Sequence, residues 1–264
     1  MPADTPNPAA LAYDEAGSGP PLLILHGLLG QARNWAGQMK LFAADHRVLA
    51  VDLRNHGRSP WVDGMTYEAM ADDIALLAER VGPPVRLIGH SMGGKVAMVT
   101  ALKYPELVEK PVVVDISPVR HGQTPFYGYL DAMLGLDLSA IARRGQADKL
   151  LADAIPNAAE RAFLLLNLAS AAGGSLNWRP NLQELRRRLP DILDWPEHLF
   201  DCRYPEPTLF VAGGNSPYIR DSHKAAIARL FPKAEYASIP GAGHWVHADR
   251  PKLFHETVSA FLNR

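Results

Sequence analysis

The chain has 264 residues, of which 47% are hydrophobic, and its 27 basic and 28 acidic side chains give a formal net charge of -1. This composition is enough for one sizeable core, so a single α/β domain with an insertion accounts for the length. The balanced charge gives no indication of nucleic acid or an anionic membrane as a partner.

The lack of recognisable targeting signals predicts a cytoplasmic protein. Residues 1–8 lack the basic and apolar regions of a signal peptide, and no apolar run reaches the ~18 residues of a membrane span. Cys202 is the one cysteine and has no partner for an internal disulfide, so nothing indicates an oxidising compartment. We expect no membrane span and no role for Cys202.

Short apolar runs bounded by Gly, Pro and Asp alternate with helical patterns along most of the chain. The runs predicted as strands are 22–25, 48–51, 85–88, 112–114, 209–211 and 235–239. The segments predicted as helices are 34–42, 67–81, 94–104, 222–230 and 251–262. Such alternation is typical of an α/β fold with a mostly parallel central sheet and helices on both faces.

The alternation breaks once. Residues 119–200 contain no strand-like run and consist of Leu- and Ala-rich helical segments interrupted by proline and glycine. An insertion of this size usually packs over the carboxyl ends of the strands. We therefore predict a core domain in two parts, 1–118 and 201–264, with an inserted helical cap, 119–200.

Residues 89–93 read Gly-His-Ser-Met-Gly and stand between a predicted strand and a predicted helix. That context is the one a G-x-S-x-G nucleophile elbow requires, with Gly89 and Gly93 giving the backbone room to turn. Ser91 is the predicted nucleophile. The Met92 N–H, in the first helical turn, is a predicted oxyanion donor. The alternative is a glycine-rich turn that carries an idle serine.

A nucleophilic serine needs a base, which a third group orients. His244 lies in a loop after the last predicted strand and before the final helix. A triad in the chain order serine, acid, histidine has its base at this place. We interpret His90 as a packed or hydrogen-bonded neighbour. His244 and His247 form a pair at metal-ligand spacing, but a catalytic zinc needs three protein ligands, so we predict no metal.

The loop after the first predicted strand, residues 26–30, is expected to supply the second oxyanion donor. Leu28 N–H is the candidate, because Gly27 lets the backbone approach the substrate closely. We expect His26 to fix this loop. His56, in the segment 52–59, is interpreted as shaping another loop over the strand ends.

The third group of the triad, the acid that orients His244, has two candidates. In the common arrangement it follows the strand 209–211, but here the first carboxylate after that strand is Asp221. One strand earlier, Asp115 directly follows 112–114, next to the strand of the nucleophile. We predict Asp115, with Asp221 as the alternative acid and a structural loop cap as the alternative role of Asp115.

Four motifs in chain order resemble one subgroup of the α/β-hydrolases, and the resemblance to that superfamily covers essentially the whole chain. The motifs are residues 52–57, 89–95, 114–119 and 213–217. The subgroup comprises small esterases typified by YbfF, with reported acyl-CoA thioesterase activity. The resemblance implies the α/β-hydrolase fold, and it places the acid at Asp115.

Together these residues predict a serine hydrolase that cleaves a small-molecule carboxylic ester or thioester through Ser91, His244 and Asp115, without a cofactor. Epoxide hydrolases and haloalkane dehalogenases are excluded, because they need a carboxylate at the elbow. A cofactor-free haloperoxidase or a C–C bond hydrolase would use the same triad. A ligand receptor that has kept the pocket is the non-enzymatic alternative.

An acyl-CoA substrate would need cationic partners for its phosphates. The predicted cap offers two arginine groups, 143–144 and 186–188. Consecutive helical residues point about 100° apart, so three arginines in a row do not all face one ligand. A solvated helix face is the alternative interpretation.

Overall fold

The structure is a computed structural model that describes residues 8–122, 124–170 and 174–264. The prediction about a signal peptide concerns residues 1–7 above all, which lie outside this part. No helix in the described ranges is both long and apolar enough to cross a bilayer.

A seven-stranded sheet has the order β1-β3-β2-β4-β5-β8-β9. Its strands are β1 (Tyr13–Ala16), β2 (Pro21–Leu25), β3 (Arg47–Val51), β4 (Val85–His90), β5 (Val108–Val114), β8 (Thr208–Gly213) and β9 (Ala234–Ile239). The edge strand β1 was not predicted, and it pairs antiparallel with β3. All other neighbours pair parallel, which confirms the predicted mostly parallel sheet.

Helices cover both faces of the sheet. Those of the core are α1 (Ala36–Phe42), α2 (Tyr67–Val81), α3 (Met92–Lys103), α9 (Lys224–Leu230), α10 (Val246–Asp249) and α11 (Pro251–Leu262). Because side chains alternate along a strand, Leu22 and Ile24 pack with Phe42 and Phe254 on the α1 and α11 face. Leu23 is buried with the side chains of α2 and α3 on the opposite face.

The segment between β5 and β8, residues 119–200, forms helices and one small hairpin. The helices are α4 (Phe126–Leu134), α5 (Arg144–Leu150), α6 (Ala158–Leu165), α7 (Leu182–Arg187) and α8 (Leu189–Leu193). The prediction that this segment contains no strand is wrong, because β6 (Leu168–Ser170) and β7 (Leu176–Trp178) pair antiparallel. Three-residue strands are too short to show an apolar run, and cross-strand pairing defines them instead.

Apolar side chains of this insertion belong to the same buried cluster as α2 and α3. Leu130, Met133, Leu165 and Leu185 are each at most 2% exposed within it. The insertion is therefore packed against the core through a continuous apolar contact.

Candidate active site

Ser91 occupies the turn between β4 and α3 with φ 53° and ψ -119°, a strained conformation for a residue with a side chain. A Cβ on Gly89 would lie 2.1 Å from Gly93 O, and one on Gly93 would lie 2.5 Å from Leu25 O. Only glycine fits at either position. The Ser91 N–H donates to Val114 O at 3.0 Å, which ties the turn to the neighbouring strand β5.

Asp115 directly follows β5 and is fully buried. Its Oδ2 accepts a hydrogen bond from His244 Nδ1 at 2.7 Å and another from Ser216 Oγ, while its Oδ1 accepts from Gly213 N at 3.0 Å. A carboxylate only accepts hydrogen bonds, so His244 carries its proton on Nδ1. Its Nε2 is then the nitrogen left to act as a base.

Asp221, the alternative acid, lies away from this site. Its side chain is 95% exposed and pairs with Lys224 at 2.8 Å. The loop after β8 instead supplies two donors to Asp115, from Gly213 and Ser216. The structure thus brings Asp115 and His244 together and leaves Asp221 on the surface.

Ser91 and His244 border one pocket of about 400 Å³. Within the described ranges, Ser91 Oγ makes no hydrogen bond with His244. Hydrogen bonds between a nucleophile and its base often form fully only when substrate is bound. The insertion contributes Phe126 and Phe163 to this pocket, so its wall is largely apolar.

Leu28 and Met92 both lie beside Ser91 at a second pocket. Their N–H groups have no acceptor among the hydrogen bonds of the described residues. Met92 is the first residue of α3, where a helical N–H lacks an intrahelical partner. The two N–H groups are therefore free to donate to an oxygen that binds next to Ser91.

The backbone N–H and C=O groups of Leu29 both hold the loop that carries Leu28. His56 Nε2 accepts from Leu29 N at 3.2 Å, and Asn167 Nδ2 donates to Leu29 O at 2.7 Å. Burial, followed by the nearby His26, lowers the pKa of His56 to about 3, so its ring stays neutral and keeps the acceptor. His26 accepts from Leu53 N at 3.0 Å, in line with its predicted role.

Asn167 is a residue that sequence reasoning missed. It is fully buried and lies 138 positions from its partner Leu29. No local pattern marks such a contact, which depends on how the insertion docks on the core.

Two further histidines near the site, His90 and His247, make packing and backbone contacts. His90 Nε2 donates to His244 O at 2.8 Å, and His247 stacks on Trp35 with ring centroids 3.9 Å apart. Burial, followed by the neighbouring His244, lowers the pKa of His247 to about 3 and that of His90 well below its usual value. Among the residues that the structure describes, no three His, Cys, Asp or Glu side chains cluster as metal ligands.

The two arginine groups of the insertion differ in their partners. Arg186 pairs with Asp131 at 2.6 Å, and Arg187 and Arg188 both pair with Glu184. The other group, Arg143 and Arg144, borders a groove of about 840 Å³. Arg33 and Arg179 border the same groove. None of these four forms an ion pair within the described part of the chain.

Comparison with known proteins agrees with this fold. The profile of the alpha/beta hydrolase fold matches residues 20–251. The mouse protein named sn-1-specific diacylglycerol lipase ABHD11 is 43% identical over 92% of this chain and 81% of its own. The Escherichia coli esterase YbfF is 32% identical over 92% of this chain and 93% of its own.

A solved structure described as a marine microorganism esterase superposes with a TM-score of 0.92. It shares 35% sequence identity and covers 96% of this chain and 99% of its own. The resemblance of four motifs to the YbfF subgroup is confirmed, because the sequence identity with YbfF extends over nearly the full length of both chains. The chain therefore belongs to the α/β-hydrolase family.

Proposed function

We propose that this protein is a serine esterase in which Ser91 is the nucleophile, His244 the base and Asp115 the group that orients it. The observation that carries the proposal is the 2.7 Å contact between Asp115 Oδ2 and His244 Nδ1, beside a serine held in an elbow. The names of the relatives, a lipase and an esterase, support ester substrates.

The reaction follows from this arrangement. Ser91 Oγ attacks the ester carbonyl while His244 Nε2 takes its proton, and the carbonyl oxygen becomes an oxyanion between the Leu28 and Met92 N–H groups. His244 then gives the proton to the departing alcohol, which leaves an acyl-Ser91 ester. Water, deprotonated by His244, attacks that ester, and the acid is released as Ser91 regains its proton.

We further propose that residues 119–200 act as a cap on a core formed by 1–118 and 201–264. Phe126 and Phe163 of this segment border the pocket with Ser91 and His244. We expect esters with short to medium acyl chains, and an apolar roof supports the binding of such alkyl chains because burying methylene groups is favourable.

The test is hydrolysis of p-nitrophenyl butyrate in the presence of EDTA, with the Ser91→Ala variant beside the wild type. We expect metal-free turnover that falls by several orders of magnitude in the variant. Dioctanoylglycerol is a further substrate, because the mouse relative is named for diacylglycerol. Equal rates in wild type and variant would refute Ser91 as nucleophile, and loss of activity on chelation would refute the metal-free reaction.

A second candidate substrate class is acyl-CoA, favoured by the groove of four arginines. Arg33 lies two residues before Trp35, which borders the pocket of Ser91, so the groove adjoins the active-site wall. We expect butyryl-CoA to be cleaved with a lower KM than the N-acetylcysteamine thioester of butyrate. The double variant Arg143→Gln/Arg144→Gln should remove that difference, and Arg186→Gln should not. Equal KM values for both thioesters would exclude the groove as a CoA site.

A further inference from the structure

A second pocket, of about 450 Å³, lies between α3 and the insertion. Ser91, Leu28 and Met92 border it, so it begins at the proposed oxyanion site. His244, which must reach the leaving group, is not among the described residues that border it. This pocket is therefore the place for the acyl chain.

Lys95 brings an amine into this pocket. It lies one helical turn after Ser91, with its N–H donating to Ser91 O at 3.1 Å, and it is 1% exposed. Its Nζ donates to Leu193 O at 3.2 Å and to Asp194 O at 2.6 Å. Burial lowers the pKa of the Lys95 amine to about 7. In its ammonium form the group has three donors, so these two carbonyls leave one N–H unused.

His121 brings a complementary acceptor. Its backbone N–H donates to the same Leu193 carbonyl at 2.8 Å, and its Nε2 is buried with no hydrogen-bond partner among the described residues. Burial, then the Lys95 cation, lowers the pKa of His121 to about 4, against a backbone hydrogen bond with Ser117. The neutral ring carries one proton, and the tautomer with that proton on Nδ1 presents a lone pair on Nε2.

We propose that Lys95 Nζ and His121 Nε2 form a polar subsite that binds a hydroxyl group on the acyl chain of the substrate. A hydroxyl accepts from Lys95 and donates to His121, so it satisfies both groups at once. A carboxylate only accepts and would face the His121 lone pair. The proposal rests on the proposed function, because Ser91 defines which end of the pocket holds the ester.

The remainder of the pocket suits the alkyl part of such a chain. Ile116, Ile192 and Leu193 contribute apolar side chains. The ring centre of Tyr67 lies 5.4 Å from Lys95 Nζ. The Tyr67 hydroxyl donates a hydrogen bond to Ile192 O at 2.5 Å. Thr124 and Tyr218 also border the pocket, but Lys95 and His121 are, among the described residues, the pair that combines an unused N–H with a buried, unpaired ring nitrogen.

The test compares p-nitrophenyl hexanoate with its β-hydroxy and ω-hydroxy analogues, each rate divided by the uncatalysed rate. We expect kcat/KM for the better hydroxylated ester to exceed that for hexanoate by about tenfold, because a plain chain leaves buried polar groups unpaired. Lys95→Met and His121→Phe should each bring that ratio close to one. Lys103→Met, on the same helix but paired with Asp72, is the matched control and should keep the wild-type ratio.

A wild-type ratio that persists in both subsite variants would overturn the proposal, as would a preference for the monoester of adipic acid over the hydroxylated esters. If Lys95→Met does not fold, His121→Phe decides the question alone. Calorimetric Kd values of the ethyl esters for Ser91→Ala protein test the subsite without turnover. Tighter binding of the hydroxylated esters to this variant would support the subsite even if the wild type hydrolysed no ester. Equal Kd values would reject the subsite, whereas hydrolysis of p-nitrophenyl hexanoate by the wild type would still support the proposed esterase.

Discussion

The sheet side and the insertion side of the site owe their geometry to different interactions. On the sheet side, Ser91 and Asp115 follow the adjacent parallel strands β4 and β5, and both have positive φ. On the insertion side, Phe163 and Asn167 are positioned by short helices and a small hairpin packed on the core. Strand pairing fixes the spacing of the first pair, whereas docking of a separate segment fixes the second.

The largest effect is expected on the sheet side, from Asp115→Asn. A neutral amide favours the wrong imidazole tautomer and does not balance the imidazolium, so kcat should fall by about 10⁴, the loss known for the corresponding change in a serine protease. Steady-state hydrolysis of p-nitrophenyl butyrate measures it. Asp221→Asn is the matched control, because that side chain is exposed, and its rate should stay near the wild type.

Adding Asn215→Asp to the Asp115→Asn protein asks whether the loop after β8 still supports an acid. Asn215 N donates to Ala242 O at 2.9 Å, which joins this loop to the segment before His244. Partial recovery of the rate is expected if the new carboxylate reaches the imidazole. Near-normal turnover in Asp115→Asn together with a severe loss in Asp221→Asn would reverse the assignment.

Much of the sheet side was predictable from sequence, because it depends on local signals. The bounds of α2 and α11 match their predicted ranges. Asp115, which contacts His244, was singled out from its place after an apolar run and stays a prediction as the catalytic acid. The edge strand β1 and the hairpin of the insertion were missed, because pairing defines them more than their own residues do. Long-range contacts such as Asn167 with Leu29 leave no periodic signal.

His56→Phe should have the next largest effect. The ring volume is kept, but Leu29 N–H loses its acceptor, and the loop that presents Leu28 N–H is free to rotate away. Loss of one oxyanion donor lowers kcat by about 10²–10³. Because His56 acts on that donor indirectly, we expect its replacement to lower kcat by at most about 10². His198→Phe, at an exposed histidine, is the control. A lower kcat at unchanged KM marks a positioning role, and an unchanged kcat would show that His56 does not position the Leu28 N–H.

Asn167→Leu tests the insertion side of the same residue, Leu29. It removes the 2.7 Å hydrogen bond to Leu29 O while Leu29 N–H stays bound to His56. Since one anchor remains and a typical hydrogen bond contributes about 1 kcal/mol, we expect a decrease in kcat of about fivefold. If Asn167→Leu lowered kcat more than His56→Phe, the insertion and not the core would govern the oxyanion loop.

The smallest effect concerns acid stability. The folded-state pKa of His247 is about 3 against the usual 6.5, so the unfolded chain binds more protons between these values and stability falls as pH drops below 6.5. Urea unfolding at pH ~7.5 and ~5.5 should show wild type losing about 1 kcal/mol more than His247→Phe, which keeps a ring against Trp35. His198→Gln should retain the wild-type loss. Equal losses in wild type and His247→Phe would contradict this.

The most direct test of the proposed site is a crystal structure of the protein after reaction with a p-nitrophenyl alkylphosphonate. We expect a bond from phosphorus to Ser91 Oγ and a phosphonyl oxygen held by the N–H groups of Leu28 and Met92. His244 Nδ1 should remain on Asp115, as in the 2.7 Å contact. An adduct on another residue, or an oxygen that neither N–H contacts, would contradict the proposed site.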